Sequence, residues 1–346
     1  MVITTYVFVL LLLIEFTCLL ALKVKSGYWL FNEKYNVNAD LFEPHPYLTG
    51  MPLKNAKVSV EGKSYTHNSE GFRNSEIDHP KKKFRIIAMG GSTTYGTNVC
   101  DWETWPHYLD SLLPQEIEVL NFGVAGHSSI EHLIMASLLI PEYKPDLVLL
   151  HCGLNDLRNL FIKDLKSDYS DFHAPQLEGV LGFCYLNKLP RIAIIRVSAL
   201  FLQKIGFYPY CSYQKIEIVE DHSKDNLNRA LELYNRNLSN FCSILKNEEI
   251  ALVMIPQILI RDAIEKDELK WWIPFVDDDE LPVMMSKYNA CMKTVATSSN
   301  CLFADTLIKY SWTKENFADA SHLNAGGNLI FANILKDFLT PYIPAK

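Results

Sequence analysis

The run FRIIAMGGSTTYG, residues 84–96, decides the fold. Its first part, FRIIAM (84–89), is short and apolar at almost every position. A strand of that kind needs cover on both faces, which is the situation of a parallel strand between two layers of helix. Gly90 and Gly91 then permit a tight turn, and Ser92 stands on it. A helical pattern, WPHYLDSLL (105–113), follows.

The same alternation continues outward. Apolar runs at IEVLNF (117–122), DLVLLHC (146–152), IALVMIP (250–256) and CLFAD (301–305) read as further strands. Between and after them, SIEHLIMASLLI (129–140), DNLNRALELYNRNLSNFCSILK (225–246), VMMSKYNACMKTVATS (283–298) and AGGNLIFANILKDFL (325–339) read as helices. Strands alternating with helices predict an α/β fold with a parallel sheet, here a three-layer α/β/α sandwich of five strands.

Residues 156–224 break this rhythm with Pro175, Pro190, Pro209 and the basic-apolar stretch LPRIAIIRVSALFLQKIGF (189–207). A long insertion in a compact α/β domain is often a lid or binding loop. A helix packed on a membrane-proximal face is the alternative. WWIPF (271–275) lines either a pocket or a core.

Upstream, Val2 to Leu22 is almost wholly apolar, with Glu15 as its single charge. A helix of roughly 20 apolar residues crosses a bilayer. The alternative, a cleaved signal peptide, lacks a basic n-region and a clean cleavage site. The expected organisation is a transmembrane anchor at 1–25, a lead-in at 26–80 and a main domain at 81–346 carrying the 156–224 insertion. Within the lead-in, VSVEGKSYTHNSEGFR (58–73) reads as a strand pair ending in a turn at Glu70-Gly71.

The chain has 346 residues, a formal net charge of −7, 49% hydrophobic and 21% charged residues. That composition supports a large core and excludes a disordered chain. Its acidic balance argues against nucleic acid as a partner, which usually calls for a basic footprint. Lys81-Lys82-Lys83 is a solvated linker. The eight cysteines show no metal-type spacing. Cys152 and Cys301 are expected to be buried thiols, and Cys184 and Cys211 share the insertion without the sequence deciding whether they pair.

Ligands of open α/β sheets sit at the carboxyl ends of the strands. After the first strand, Ser92 on its glycine turn is either a nucleophile with an oxyanion-facing N–H or a helix N-cap. After the second, Gly126 allows close backbone approach to a substrate, while Ser128 or Ser129 caps a helix and His127 is a hydrogen-bonding neighbour. After the third, the Asn155 side chain is either an oxyanion donor or part of an ordinary Asn-Asp turn. Past the fifth come Asp319 and His322. They are either a base with its orienting carboxylate or, with Ser321, a helix cap and loop. The four blocks together supply a nucleophile, oxyanion donors, a base and an orienter.

These blocks resemble the SGNH (GDSL-type) hydrolase superfamily, with Ser92 in GGST, Gly126 in NFGVAGHSS, Asn155 in GLND and His322 in DASHLN. The resemblance spans residues 84–339 apart from the insertion. Gly91 stands where that family commonly has Asp. The resemblance implies a flavodoxin-like sheet, a Ser92–His322–Asp319 triad and an oxyanion hole from the Ser92 and Gly126 N–H groups and the Asn155 side chain. It implies neither metal nor organic cofactor. The anchor and GGST core resemble membrane-tethered bacterial members, some of which act on acylated glycans.

The function expected is ester hydrolysis through an acyl-enzyme, on an ester-bearing small molecule, glycan or lipid. The rivals are an O-acyltransferase on a cell-envelope polysaccharide and a catalytically silent glycan-binding protein. That chemistry favours a single-pass membrane protein with an extracytoplasmic body. Lys23 and Lys25, just after the apolar run, pull the other way by the positive-inside rule.

Overall fold

The computed structural model describes residues 2–26, 29–30, 38–43, 45–161, 165–169, 192–205, 224–269, 273 and 276–344. Most of the 156–224 insertion, with Cys184 and Cys211, and all of WWIPF except Ile273 lie outside the described residues.

Helix α1 spans Val2–Ser26. Two small antiparallel pairs follow it in the lead-in, β1 (Phe42–Glu43) with β2 (Met51–Pro52) and β3 (Lys57–Val60) with β4 (Lys63–Thr66). The second hairpin turns at Glu61-Gly62, where φ is +50° and +76°. Positive φ at both central residues suits the right-handed twist of the strands. Glu70-Gly71 forms a separate turn, with the Gly71 N–H donating to the Asn68 carbonyl at 3.1 Å. The strand pair and the turn that follows it at Glu70-Gly71 are therefore as expected.

The central sheet contains β5 (Phe84–Gly90), β6 (Ile117–Gly123), β7 (Leu147–His151), β8 (Ala251–Ile255) and β9 (Leu302–Phe303). All pair in parallel, in the spatial order β6-β5-β7-β8-β9. Among the helices of this region are α2 (Ser92–Tyr95), α3 (Trp105–Leu112), α4 (Ser129–Leu138), α5 (Ala193–Lys204), α6 (Lys224–Asn247), α7 (Leu281–Ser298) and α8 (Ala325–Leu339).

The strands are apolar throughout because successive side chains leave the sheet on opposite faces. Ile87, Met89, Val148 and Leu150 enter one core with residues of α4, α6 and α7, among them Met135, Tyr234, Phe241 and Tyr288. Their neighbours Ile86, Ala88, Leu147 and Leu149 enter the other with Trp105 and Leu109 of α3 and Phe331 and Leu335 of α8. Fully burying each such aliphatic side chain stabilises the fold by about 1.5–3 kcal/mol. This is the expected α/β/α sandwich with a five-stranded parallel sheet.

The sheet order reverses at β5, whose two neighbours are β6 and β7. A crevice forms outside the carboxyl ends at such a reversal. Gly90 pairs in register with both Gly123 and His151, so the loops after β5, β6 and β7 leave the sheet side by side.

Candidate active site

The chain turns sharply out of β5. Gly91 is the N-cap of α2, and Ser92 is its first helical residue. Ser92 therefore does not cap the helix, and its hydroxyl is left for other partners. A backbone N–H at this position has no acceptor inside its own helix. Gly96 ends the turn at φ +86°.

The lead-in locks this turn from outside. Buried Arg73 donates to the carbonyls of Tyr95 at 2.9 Å and Gly96 at 2.6 Å, and to those of Ser64 and Val99. Its Nε pairs with Asp101 at 2.6 Å, and its guanidinium stacks over Tyr65 and Tyr95. Asn74 covers the outer edge of β6. It accepts the Asn121 N–H at 2.6 Å and donates to the Asn121 carbonyl at 3.1 Å.

His322 arrives from the other side of the sheet, in a loop closed by an isolated bridge between Phe317 and Leu323. Its Nε2 lies 2.8 Å from Ser92 Oγ, and its Nδ1 lies 2.8 Å from both oxygens of Asp319. A carboxylate opposite Nδ1 holds the proton there and leaves Nε2 to accept from the hydroxyl. Asp319 also accepts from the Ser321 and His322 N–H groups, each at 2.9 Å, and from Asn98 Nδ2 at 2.6 Å. Burial works against the Asp319 charge, but the His322 contact and these N–H donors outweigh it and hold the carboxyl down at about 2. Neither Asp319 nor Ser321 caps α8. That role belongs to Asn324, which accepts the Gly327 N–H at 2.9 Å.

Gly126 follows β6 with φ +85°, in the left-handed region. Side chains other than glycine rarely adopt it. Next to it, His127 is buried, and its Nε2 contacts the Gly50 carbonyl at 2.8 Å, so its ring faces the lead-in. Ser128 is the N-cap of α4. Its N–H and hydroxyl both donate to Glu131, at 2.7 and 2.5 Å.

Asn155 begins the turn after β7, and its Nδ2 donates to the His127 carbonyl at 2.8 Å. An amide nitrogen carries two hydrogens, so one remains. A Cβ at position 91 would stand 2.6 Å from that nitrogen, so a side chain there would require the Asn155 amide to shift.

A shallow pocket opens against Ser92, lined by Gly91, Thr93, His127, Gly153, Asn155 and Gln257 among others. Gly126 is not among its lining residues, although its neighbour is. The structure therefore brings Ser92, His322 and Asp319 into one relay and sets Asn155 at the adjoining pocket. Asn98, Gln257 and Arg73 belong to the same surroundings and escaped the sequence reading. Each acts through contacts far along the chain, and only the left-handed backbone of Asn98, at φ +71°, marks it locally. A hydroxyl bonded to an imidazole that is itself held by a carboxylate can give up its proton as it attacks a carbonyl.

A family model described as "GDSL-like Lipase/Acylhydrolase family" matches residues 88–330. No curated protein matches the chain by sequence. Similar solved structures include TesA, at 13% identity and TM-score 0.44, covering 75% of this chain and 99% of that one. A catalytic mutant of Axe2, an acetylxylan esterase from Geobacillus stearothermophilus, shares 14% identity at TM-score 0.42, covering 76% and 97%. A GDSL-like lipase from Bacteroides thetaiotaomicron shares 13% identity at TM-score 0.44, covering 77% and 93%.

Proposed function

This chain belongs to the GDSL-like lipase/acylhydrolase family, and from that premise we propose that it is a serine-dependent ester hydrolase working through an acyl-enzyme on Ser92. The observation that carries the reading is the continuous relay from Ser92 Oγ through His322 to Asp319, with 2.8 Å at each contact. His322 Nε2 takes the hydroxyl proton as Ser92 Oγ bonds to the carbonyl carbon of the ester. The carbonyl π electrons move onto oxygen, which faces the N–H groups of Ser92 and Gly126 and the remaining Asn155 hydrogen. Collapse breaks the bond to the alcohol oxygen, and His322 returns the proton to that leaving group. Water repeats the sequence on the acyl-enzyme and frees the acid. Asp319 steadies the imidazolium in both halves. Each oxyanion donor is worth about 10²–10³ in kcat.

The substrate in this reading is an acylated glycan or lipid. The chain is held at a membrane by α1, whose Ile3–Val24 stretch is long and apolar enough to cross one. This reading sets the body on the extracytoplasmic side, against the pull of Lys23 and Lys25.

The test is turnover of p-nitrophenyl acetate and of a panel varying the acyl and alcohol parts, with Ser92→Ala beside the natural chain. Loss of turnover and of fluorophosphonate labelling in Ser92→Ala is expected. Turnover that survives the substitution would overturn the assignment. Adding an acceptor sugar separates hydrolysis from transfer, since a transferase would yield the acylated sugar at the expense of free acid.

A further inference from the structure

Glu15 is the one charge in the apolar run of α1. At about 1.5 Å per residue it stands about 20 Å from Val2 and about 16 Å from Ser26. In a hydrocarbon core about 30 Å thick, that is close to half depth. A carboxyl at such a depth is costly unless it has partners.

Its partners are in the insertion. Glu15 Oε1 accepts the Ala193 N–H at 2.6 Å, and Oε2 accepts the Ile194 N–H at 3.0 Å. These are the first two amides of α5. The opening amides of a helix have no acceptor within it, and hydrocarbon offers no water to replace one. The carboxyl also meets the positive end of the α5 dipole.

The cover on α1 shows how α5 lies. Residues 3–14 are exposed, whereas Glu15, Cys18, Leu19, Leu22 and Lys23 are partly covered. Those positions form one helical face, confined to the half of α1 nearer Ser26. With its start fixed at Glu15, α5 therefore runs alongside that half, in the same direction as α1. On α5, Ala193, Arg196 and Ala199 are buried three residues apart. The two alanines let the helices approach closely on either side of Arg196. The other side of α5 presents Phe201, Leu202 and, just past its end, Ile205, which are 60%, 38% and 51% exposed, and Ile192, just before its start, is 44% exposed. At 12 residues, α5 is about 18 Å long, too short to cross a bilayer.

Resting on the reading that α1 spans the membrane, we propose that α5 is a membrane-inserted half-helix. It is capped at half depth by Glu15 and lies in the leaflet beside the Ser26 end of α1. The occupant of its outer apolar face is lipid acyl chain, continuous with the lipid around α1, because the start of α5 is tied to a residue inside the spanning run. Glu15 is then a positioning residue for the insertion, and the 193–205 stretch is a lipid-facing element.

The test places a fluorescent amino acid at Leu11 or at Ile192 of the full-length chain in phosphatidylcholine vesicles. Quenching is read from nitroxides deep on the acyl chain, nitroxides at the head group and iodide in water. Deep quenching at both positions is expected. Deep quenching at Leu11 with iodide quenching at Ile192 overturns the half-helix and leaves the anchor standing. Iodide quenching at both overturns the two together. Glu15→Leu should lose the deep quenching at Ile192 while Leu11 stays deep and ester turnover persists. Glu15→Gln, which keeps a carbonyl acceptor, should retain part of it. Unchanged deep quenching in Glu15→Leu overturns the capping role.

Discussion

Asp319 and Asp156 both sit in loops at the carboxyl edge of the sheet, and their surroundings drive them in opposite directions. Asp319 is ringed by donors and faces an imidazole, which hold it at about 2 despite burial. Asp156 follows Asn155 and is completely buried. Burial pushes its carboxyl up to about 7, aided by the nearby Glu131 charge and opposed by the Ser129 hydroxyl and N–H. Ser129 Oγ donates to Asp156 at 2.5 Å and in turn accepts from Asn237 Nδ2 at 2.9 Å. The Tyr288 hydroxyl donates to the Asp156 carbonyl at 3.2 Å. Asp156 thus joins the loop after β7 to α4, α6 and α7. One carboxyl is kept charged where it faces the His322 imidazole. The other is driven toward neutrality where its work is to hold elements together. Environments that separate two such groups are how a fold divides roles between like residues.

The largest effect that would break this contrast is on turnover. Asp319→Asn leaves the shape but removes the charge and the acceptor that selects the His322 tautomer. It should lower kcat on the order of 10⁴-fold, as the generic Ser-His-Asp arrangement behaves. The measurement is steady-state hydrolysis of a short-chain ester, and a drop below tenfold would remove Asp319 from the relay.

Asp156→Asn should act on stability instead, through its dependence on pH. The unfolded chain releases this proton near 3.8, whereas the folded protein keeps it to about 7. Across that window the folded state binds more protons, so the contribution of Asp156 falls as pH rises from about 4 to about 7 and is level above it. Its size is on the order of a few kcal/mol, from about 1.4 kcal/mol per unit. Asp319 has the opposite sign: its contribution is present above 3.8 and is lost as pH falls toward 2. From pH 4 to 8 the denaturation midpoint of the natural chain should fall relative to that of Asp156→Asn, the upward slope from the buried histidines His67, His132 and His151 being common to both. Parallel curves would show that burial does not hold this proton.

The smallest expected effect sharpens the comparison. Asn98→Ala removes one donor to Asp319 and leaves those of Ser321 and His322. A loss of about tenfold in kcat, or about 1.4 kcal/mol, is expected. Measured in the Asp319→Asn background, the same change should have little further effect, because the charge it supported is gone.

How much of this was legible depended on the range of each interaction. The strands announced themselves because a doubly covered strand is a run of Ile, Leu, Val and Met. The helix at 325–339 agrees with its reading at both ends. β9 is shorter than CLFAD suggested, because pairing covers only Leu302 and Phe303 and the Ala304 N–H makes the last bond, to the Met254 carbonyl. α7 begins two residues early, with Pro282 in its first turn, where a missing N–H is no loss. The resemblance brought Ser92, Asn155 and His322 into view because each stands in a short local block. Asn98 meets Asp319 across 221 positions and Arg73 meets Gly96 across 23, and neither contact leaves a periodic trace. Glu15 was visible as an oddity, but its partner lies 178 residues away.

Arg73 has a practical corollary for preparing the protein without α1. The sheet starts at Phe84, yet the carbonyls of Tyr95, Gly96 and Val99 depend on a guanidinium eleven positions earlier in the chain. A soluble version cut close to the first core strand would keep every residue of the relay and lose the clamp behind Ser92. The safe place to sever the chain is between α1 and the lead-in, so that the small hairpin and Arg73 travel with the sheet.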